Sequence, residues 1–470
     1  MYRESGLSDK EEKKAEVPLK SAPGSAAEPK PALGMTDAIA VIVGIVIGAG
    51  IFRTPSLVAA NVQSGGMFVM SWVLGGLVSL IGALCYAELT TTFPHTGGDY
   101  HFLTRAFGKR VSFLFAWARM SIIQTGSIAL LSFIIGDYLA QIYSLGNYSS
   151  VVYAALVVVV LTGINIIGLK TGALTQKLLI ALEILGILLV VVAGLFFAPE
   201  QVAASGSEAE GTTGGNALGL AMVFVLLTFG GWNEAAYISA ELRSGKRGMA
   251  KALLLSIFII TAVYLLINLS MLNALGLSGM AQSKAVAGDL MKVTLGEGGV
   301  VLIGLIVSVA ALTSVNATIF TGARTNYALG KDFPVFSALG KWNARTSSPV
   351  NALLLQGAIS LALIGLAIFT RNGFETIVEY TAPVFWFFLL LVGVSLFVLR
   401  KKEPQRTRPF PVPLYPVTPI IFCLTSAYLL YSSLAYTGLG ALVGVGVLIV
   451  GVLLLLALPT LEKWLHQQHK

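Results

Sequence analysis

The stretch VGIVIGAGIFRTP, residues 43–55, carries three glycines within seven positions of an apolar run that ends at Pro55. A second apolar run contains LLTFGGWNE, residues 226–234, in which Gly230 and Gly231 stand side by side. Glycine is among the least favourable residues in a helix interior, and proline is worse. We therefore predict that each run forms a helix that is interrupted at its glycines.

The composition of the 470-residue chain places these interrupted helices in a membrane. The chain is 56% hydrophobic and 11% charged, against about 45–50% and about 25% in soluble globular domains. Its mean hydropathy is +0.81. Too little polar surface remains to cover a soluble core, which excludes a soluble enzyme and a nucleic-acid-binding protein despite the formal net charge of +8. The apolar runs also exceed the roughly 10-residue alternating strands of an outer-membrane barrel.

Twelve apolar runs are long enough to cross a hydrocarbon core about 30 Å thick. These spans 1–12 lie at 37–60, 66–92, 111–143, 150–168, 174–198, 217–240, 252–276, 299–322, 350–369, 376–399, 414–436 and 438–459. The connections after even-numbered spans carry eighteen Lys and Arg residues, and those after odd-numbered spans carry three. Because Lys and Arg are enriched in cytoplasmic loops, this asymmetry predicts that both termini are cytoplasmic.

Spans 1 and 6, which hold the two interruptions, are five spans apart. Because five is odd, a five-helix unit that begins at span 6 enters the membrane from the opposite side to one that begins at span 1, as an inverted repeat requires. Paired interruptions in such repeats indicate a binding site near the bilayer midplane. The alternative is that Gly44 and Gly48 only allow close helix packing, but it does not account for the matched Gly230 and Gly231.

The interruptions offer partners for one carboxylate and one ammonium group. A half-helix that begins at Gly48–Gly50 presents free N–H groups and the positive end of its dipole to a carboxylate. The carbonyl groups of Val46, Ile47, Leu226 and Leu227, left before the breaks, can accept from an ammonium group. An α-amino acid carries both groups. The predicted substrate-binding residues are Ile47, Gly48, Ala49, Gly50, Ile51, Leu227, Phe229, Gly230, Gly231, Trp232, Asn233 and Glu234.

An ordered set of motifs resembles the amino acid–polyamine–organocation superfamily, and within it the L-type amino acid transporter branch. The motifs are GAGIF at 48–52, FPHTGGDY at 93–100, GGWN at 230–233 and YTAPV at 380–384. The resemblance implies an all-α membrane protein of the LeuT type. Twelve transmembrane helices would form a 5+5 inverted repeat with broken helices 1 and 6, plus helices 11 and 12, and would bind substrate between spans 1, 3, 6, 8 and 10.

The predicted organisation follows the spans. It comprises a disordered cytoplasmic tail at 1–34, a first repeat at 35–198, an extracellular loop at 199–216, a second repeat at 217–400, helices 11 and 12 at 401–459, and a cytoplasmic tail at 460–470.

One departure from the resembled branch concerns its partner subunit. Members linked to a heavy chain have a cysteine between spans 3 and 4, whereas this chain reads YSLGNYSS at 143–150. The resemblance therefore predicts no disulfide-linked heavy chain and a stand-alone protein of the bacterial inner membrane.

A second departure is Glu183 in span 5, where many sodium-independent relatives have a lysine in place of a sodium ion. A carboxyl group in a helix bundle can carry a proton, or it can bind a cation with the hydroxyl groups of Thr313 and Ser314 as partners. Glu183, Thr313 and Ser314 are thus the candidate coupling residues. The alternative is that Glu183 simply pairs with Lys177 or Arg119.

A third departure is Glu234, where the branch usually has a larger, uncharged residue. One turn beyond the break, an ionised Glu234 would favour cationic or polar substrates and a protonated one neutral substrates. The alternative is that Glu234 only forms a capping or interhelix hydrogen bond. The family's aromatic gate aligns with Leu227, so Phe229 or Trp232 would have to substitute. Arg119 in span 3 is expected to reach water by snorkelling, or to form a gate pair with Glu88.

These features predict a secondary active amino acid permease, either a proton symporter or an exchanger, embedded in the lipid bilayer. No enzyme motif such as H-E-x-x-H or G-x-S-x-G occurs in a span, and we expect no catalytic residue, metal site or cofactor. A polyamine or organic-cation transporter remains an alternative because of Glu183 and Glu234. A membrane sensor that does not transport is a further one.

Overall fold

The computed structural model describes residues 33–198, 215–243, 245–283, 285–366, 373–437 and 441–468. Most of the predicted tail at 1–34 and of the predicted loop at 199–216 lies outside these residues. The described chain is helical, and its only β-type pairings are two isolated bridges, Leu33 with Leu242 and Asn343 with Ser348.

The α-helices are numbered in chain order. They are α1 (Met35–Val46), α2 (Thr54–Ala59), α3 (Gly65–Thr92), α4 (Asp99–Phe107), α5 (Lys109–Ala118), α6 (Gln124–Ile142), α7 (Ser149–Ile167), α8 (Leu169–Phe196), α9 (Gly215–Thr228), α10 (Ala235–Ile238), α11 (Gly245–Gln282), α12 (Val286–Asp332), α13 (Val350–Leu366), α14 (Gly373–Lys402), α15 (Val417–Thr437) and α16 (Ala441–Gln468).

Ten helical segments of the described chain are long and apolar enough to cross a membrane. They coincide with predicted spans 2–8 and 10–12, while spans 1 and 9 coincide with the shorter apolar helices Met35–Val46 and Val350–Gly365. Span 1 is short because its helix ends at Val46, just before the glycines. The α5–α6 segment is continuous through a π-helical turn at Arg119–Ile123.

Helix α1 lies at the centre of the bundle, where it packs against α8, α11 and α12. One face of α8 points out of the bundle and the other points into it. Leu182 and Leu185 are exposed on the outer face, whereas Glu183 between them is fully buried. An apolar outer surface of this kind suits contact with lipid, and it turns Glu183 towards the protein interior.

The chain just before α1 is tied to the end of the second interrupted helix. The N–H of Leu33 donates to the Glu241 carbonyl, and the N–H of Arg243 donates to the Leu33 carbonyl, both at 2.9 Å. The Glu241 carboxylate in turn accepts two hydrogen bonds from Arg324 on α12, at 2.6 and 2.8 Å. The N-terminal end of α1 and the C-terminal end of the second interrupted helix are therefore held together on the predicted cytoplasmic side.

Candidate functional site

The first interruption leaves helix ends that point into one small region. After α1 ends, Gly48 is extended (φ −112°, ψ −168°) and a 3₁₀ turn covers Ala49–Phe52. The amide N–H groups of Ala49 and Gly50 donate to no acceptor within the part of the chain that the structure describes. Gly50 is exposed, whereas its neighbours Ala49 and Ile51 are buried. Two free donors thus surround an open position.

The second interruption lies against the first. Helix α9 ends at Thr228, and Gly231 has φ +110° before a 3₁₀ turn at Trp232–Glu234. A Cβ atom at Gly231 would lie 2.6 Å from Cγ2 of Ile45 on α1, so only glycine fits this close approach. The nearest neighbour of a Cβ at Gly50 would be Thr228, at 3.8 Å. Glycines at both breaks therefore allow the two helices to meet.

Tyr264 on α11 bridges the two breaks, and the sequence analysis did not single it out. Its hydroxyl lies 2.7 Å from the carbonyl oxygen of Val46 and 3.0 Å from that of Thr228. One hydroxyl proton is shared between the two ends, which holds both in place. The only sequence feature that marks it is a lone tyrosine in the apolar run AVYLLI, residues 262–267, which does not show what the hydroxyl contacts.

Two of the four carbonyl groups expected to accept an ammonium group are already used. Val46 accepts from Tyr264, and Leu227 accepts from the N–H of Gly230 at 3.1 Å. The carbonyl groups of Ile47 and Leu226 have no hydrogen-bond donor among the described residues. These two carbonyls are the acceptors that the breaks leave available.

Glu234 does not present a free charge to the site. Its carboxylate is held by Arg119, with the guanidinium Nη2 2.5 Å from Oε2, and both residues are buried. The expectation that Arg119 snorkels to water, or pairs with Glu88, is wrong. Glu88 instead pairs with Arg400 in the last turn of α14 and with Arg408 in the connection between α14 and α15. Arg119 is buried because its attraction to the Glu234 carboxylate offsets the free energy of removing the guanidinium from water.

The two aromatic residues considered as substitute gates are packed against other rings. The ring centres of Phe229 and Tyr264 are 4.9 Å apart, and those of Trp232 and Tyr86 are 5.1 Å apart. Both side chains are buried. Leu227, which aligns with the family gate, is 43% exposed. In this conformation, Leu227 is the residue of the three with room to move.

A cleft opens beside the second interruption, between α3, the span-6 segment, α14 and α15. It holds about 390 Å³ of empty volume, including the part that is open to solvent. Aromatic and aliphatic side chains form most of its wall, with four polar residues among them. The lining residues are Val78, Ser79, Leu226, Gly230, Trp232, Asn233, Phe385, Trp386, Leu389, Phe422, Thr425, Ser426 and Leu429.

The candidate coupling residues lie next to α1, below the first interruption. Neither carboxyl oxygen of Glu183 has a hydrogen-bond partner in the described chain, and Thr313 lies beside the carboxyl group. Ser314 is used elsewhere, since its hydroxyl donates to the Gly44 carbonyl at 3.0 Å. Glu183 pairs with neither Lys177, which binds Asp37, nor Arg119. The alternative of a simple ion pair at Glu183 is therefore wrong.

Comparisons with known proteins identify the family of this chain. The family model described as "Amino acid permease" matches residues 33–458, and the chain belongs to this family. It is a multi-pass membrane transporter and not an enzyme.

Individual proteins similar to this chain are named as amino acid transporters or exchangers. The b(0,+)-type amino acid transporter 1 of Mus musculus is 30% identical over 408 residues, covering 85% of this chain and 81% of that protein. The large neutral amino acids transporter small subunit 2 of Oryctolagus cuniculus is 28% identical, covering 97% and 84%. The serine/threonine exchanger SteT of Bacillus subtilis (strain 168) is 27% identical, covering 86% and 91%.

Proposed function

We propose that this permease carries an α-amino acid across the membrane by alternating access, with the substrate held between the two interruptions. The observation that carries the proposal is the meeting of the breaks, where free N–H groups lie at Ala49 and Gly50 and free carbonyls at Ile47 and Leu226. A carboxylate would accept from the N–H groups and an ammonium group would donate to the carbonyls. The relatives, which are named as amino acid transporters or exchangers, support the same substrate class.

The substrate we propose is a neutral amino acid. A free Glu234 carboxylate would attract a cationic side chain, but Arg119 neutralises this charge inside the protein. The cleft beside Gly230 is lined mainly by apolar and aromatic side chains, which suits an apolar side chain with room for a hydroxyl near Ser79 or Thr425. Both observations favour the amino acid over the polyamine alternative.

The complete architecture that we propose has twelve spans and the LeuT-type inverted repeat, with repeats at 35–198 and 217–400. The paired interruptions of helices five spans apart support it. The eighteen-to-three asymmetry of Lys and Arg supports cytoplasmic termini, and we propose the bacterial plasma membrane as the location. Because the 143–150 connection has no cysteine, we also propose that no heavy chain is attached through a disulfide.

The test of this function is uptake into proteoliposomes of labelled neutral amino acids, cationic amino acids and a polyamine. Imposed pH and sodium gradients, and unlabelled substrate inside the vesicles, separate symport from exchange. We expect saturable uptake of at least one neutral amino acid and no uptake of the polyamine. Uptake of the polyamine alone would contradict the proposal.

Glu183 is proposed to carry the proton in a symport cycle. A buried carboxylate without a hydrogen-bond partner is costly, and binding a proton removes the charge. Replacing Glu183 by glutamine should lower pH-driven accumulation about tenfold or more, while exchange of internal for external substrate continues. The two rates are measured in the same proteoliposome preparation.

A matched control for Glu183→Gln is Glu297→Gln, because Glu297 is exposed and pairs with Lys292 on the surface. This control should keep full accumulation. Full pH-driven accumulation by Glu183→Gln would remove Glu183 from the coupling mechanism. Loss of both accumulation and exchange would also count against it, because a proton carrier is dispensable for exchange.

A further inference from the structure

We propose that Asp99 is a proton-binding site that controls the buried Arg119–Glu234 pair and, through it, the opening of the predicted cytoplasmic side. The proposal rests on the transport function proposed above. It differs from the proposed role of Glu183, which concerns the driving force: Asp99 would set the pH at which one side of the protein opens.

Asp99 lies at the first position of α4, in the connection between α3 and α5, and is only 3% exposed. The N–H groups of Tyr100 and His101 donate to the carbonyls of Gly97 and Gly98, so they do not stabilise its carboxylate. One carboxyl oxygen, Oδ1, has no hydrogen-bond partner in the described chain. Burial removes this carboxyl group from water, and its Oδ1 gains no hydrogen bond in exchange.

Several elements surround this carboxyl group, and among the residues that the structure describes one cation, Arg119, acts on it. Tyr86 on α3 and Asn233 in the 3₁₀ turn face it, and Arg119 and Glu234 act on it electrostatically. Tyr237 on α10 also interacts electrostatically with Asp99, and its ring centre lies 4.2 Å from the Arg119 guanidinium carbon. Two buried carboxyl groups therefore share one guanidinium, and Glu234 already binds it.

The charge of this cluster depends on one proton. With Asp99 protonated, Arg119 and Glu234 balance each other and the cluster is neutral; with Asp99 ionised, it holds one uncompensated negative charge. Burial raises the pKa of Asp99 to about 7, with the positive charge of Arg119 opposing this effect and Glu234 adding to it. The proton is thus exchanged near neutral pH.

The structure contains the atoms that an alternative pairing requires. Besides Oδ1 of Asp99, the Nε of Arg119 is buried without a hydrogen-bond partner among the described residues. When Asp99 loses its proton to the solution, its carboxylate competes with Glu234 for the guanidinium. A guanidinium that turns to Asp99 releases Glu234, and with it the Trp232–Glu241 segment, which is buried except at the half-buried Ala240. This segment ends at Glu241, which is tied to Leu33 before α1 on the predicted cytoplasmic side. Proton loss therefore favours opening on that side.

The first test measures exchange through the predicted cytoplasmic side while the pH on that side alone is varied from about 5.5 to about 8.5. The wild-type rate should rise about tenfold or more, with a midpoint near the pKa of a single group. Because asparagine imitates the protonated acid, Asp99→Asn should match the wild-type rate at the acidic end and change less than about twofold across the range. An Asp99→Asn variant that keeps the wild-type midpoint would overturn the proposal.

Asp332→Asn is the matched control, since Asp332 is a partly exposed carboxylate at the C-terminal end of α12 on the same predicted side, bonded to Tyr100 and Lys109. Its pH profile should follow the wild type. A control that loses the midpoint as Asp99→Asn does would also contradict the proposal, because the effect would not be specific to Asp99.

A second measurement does not depend on transport. Infrared difference spectra of the purified full-length protein between acidic and alkaline pH should show a protonated carboxyl band that titrates near neutral pH and is missing in Asp99→Asn. Absence of that band in the wild type would refute the proton site even if transport is normal. If the band is present but no amino acid is transported, the proton site stands and the proposed function fails.

Discussion

Replacing Gly50 by leucine is expected to abolish amino acid binding while the protein stays folded. A Cβ at Gly50 meets only Thr228, at an ordinary contact distance of 3.8 Å, so the leucine side chain extends into open space rather than into the core. That space is where the substrate carboxylate would accept from Ala49 and Gly50. A leucine side chain in the space that the substrate needs weakens the free energy of binding by about 1–3 kcal/mol. Each hydrogen bond to the substrate carboxylate that is lost weakens it by about 1.5–3 kcal/mol more. The affinity should fall about 100-fold or more.

The measurement is equilibrium binding of the transported amino acid to the purified variant, together with its thermal unfolding midpoint. Gly446→Leu is the matched control, because a Cβ at Gly446 on α16 meets nothing within 4 Å and lies away from both interruptions. It should bind as the wild type does. Normal binding by Gly50→Leu would mean that the glycine serves helix packing and not recognition.

Replacing Arg324 by methionine is expected to cause the largest loss of stability. Glu241 is fully buried and receives both of its hydrogen bonds from Arg324, which also donates to the Phe320 carbonyl. Removing the cation leaves an uncompensated buried carboxylate, which typically costs about 3–5 kcal/mol. The free energy of unfolding in mixed micelles measures this cost. The anchor between the N-terminal end of α1 and the end of the span-6 segment should loosen at the same time.

Two controls separate this pair from charge effects in general. Replacing Glu241 by glutamine in the Arg324→Met background removes the orphaned charge and should recover a large part of the lost stability. Lys292→Met breaks an exposed pair with Glu297 and should change stability by less than about 1 kcal/mol. If Arg324→Met were no more destabilising than Lys292→Met, the buried pair would not anchor the helices.

The positions of the helices and of both interruptions follow from local sequence. In a bilayer, the backbone N–H and C=O groups of long apolar runs find hydrogen-bond partners when the runs form helices. The glycines at 48–50 and 230–231 interrupt two of these helices where the structure shows breaks. The ends of α12 could not be predicted from the apolar run, because the helix covers Val286–Asp332 and the run covers only 299–322. Its C-terminal part continues the helix beyond the apolar run, whereas its N-terminal part is set off by a kink at Gly296 (φ +67°), and neither part contributes to an apolar pattern.

The partners of the buried charges did not follow from the sequence. Arg119 and Glu234 are 115 residues apart, and their meeting depends on how span 3 and the 3₁₀ turn after Gly231 are rotated in the bundle. The same holds for Tyr264, whose hydroxyl reaches two carbonyls on different helices. Periodicity shows which face of a helix is apolar, but not which polar group faces it from the neighbouring helix.

The most direct test of the central claim is a structure of the protein bound to the neutral amino acid that it transports. The substrate carboxylate should lie within hydrogen-bonding distance of the Ala49 and Gly50 N–H groups. Its ammonium group should face the Ile47 and Leu226 carbonyls, and its side chain should point into the cleft beside Gly230. An amino acid bound away from both interruptions, with these N–H and carbonyl groups still free, would contradict the account.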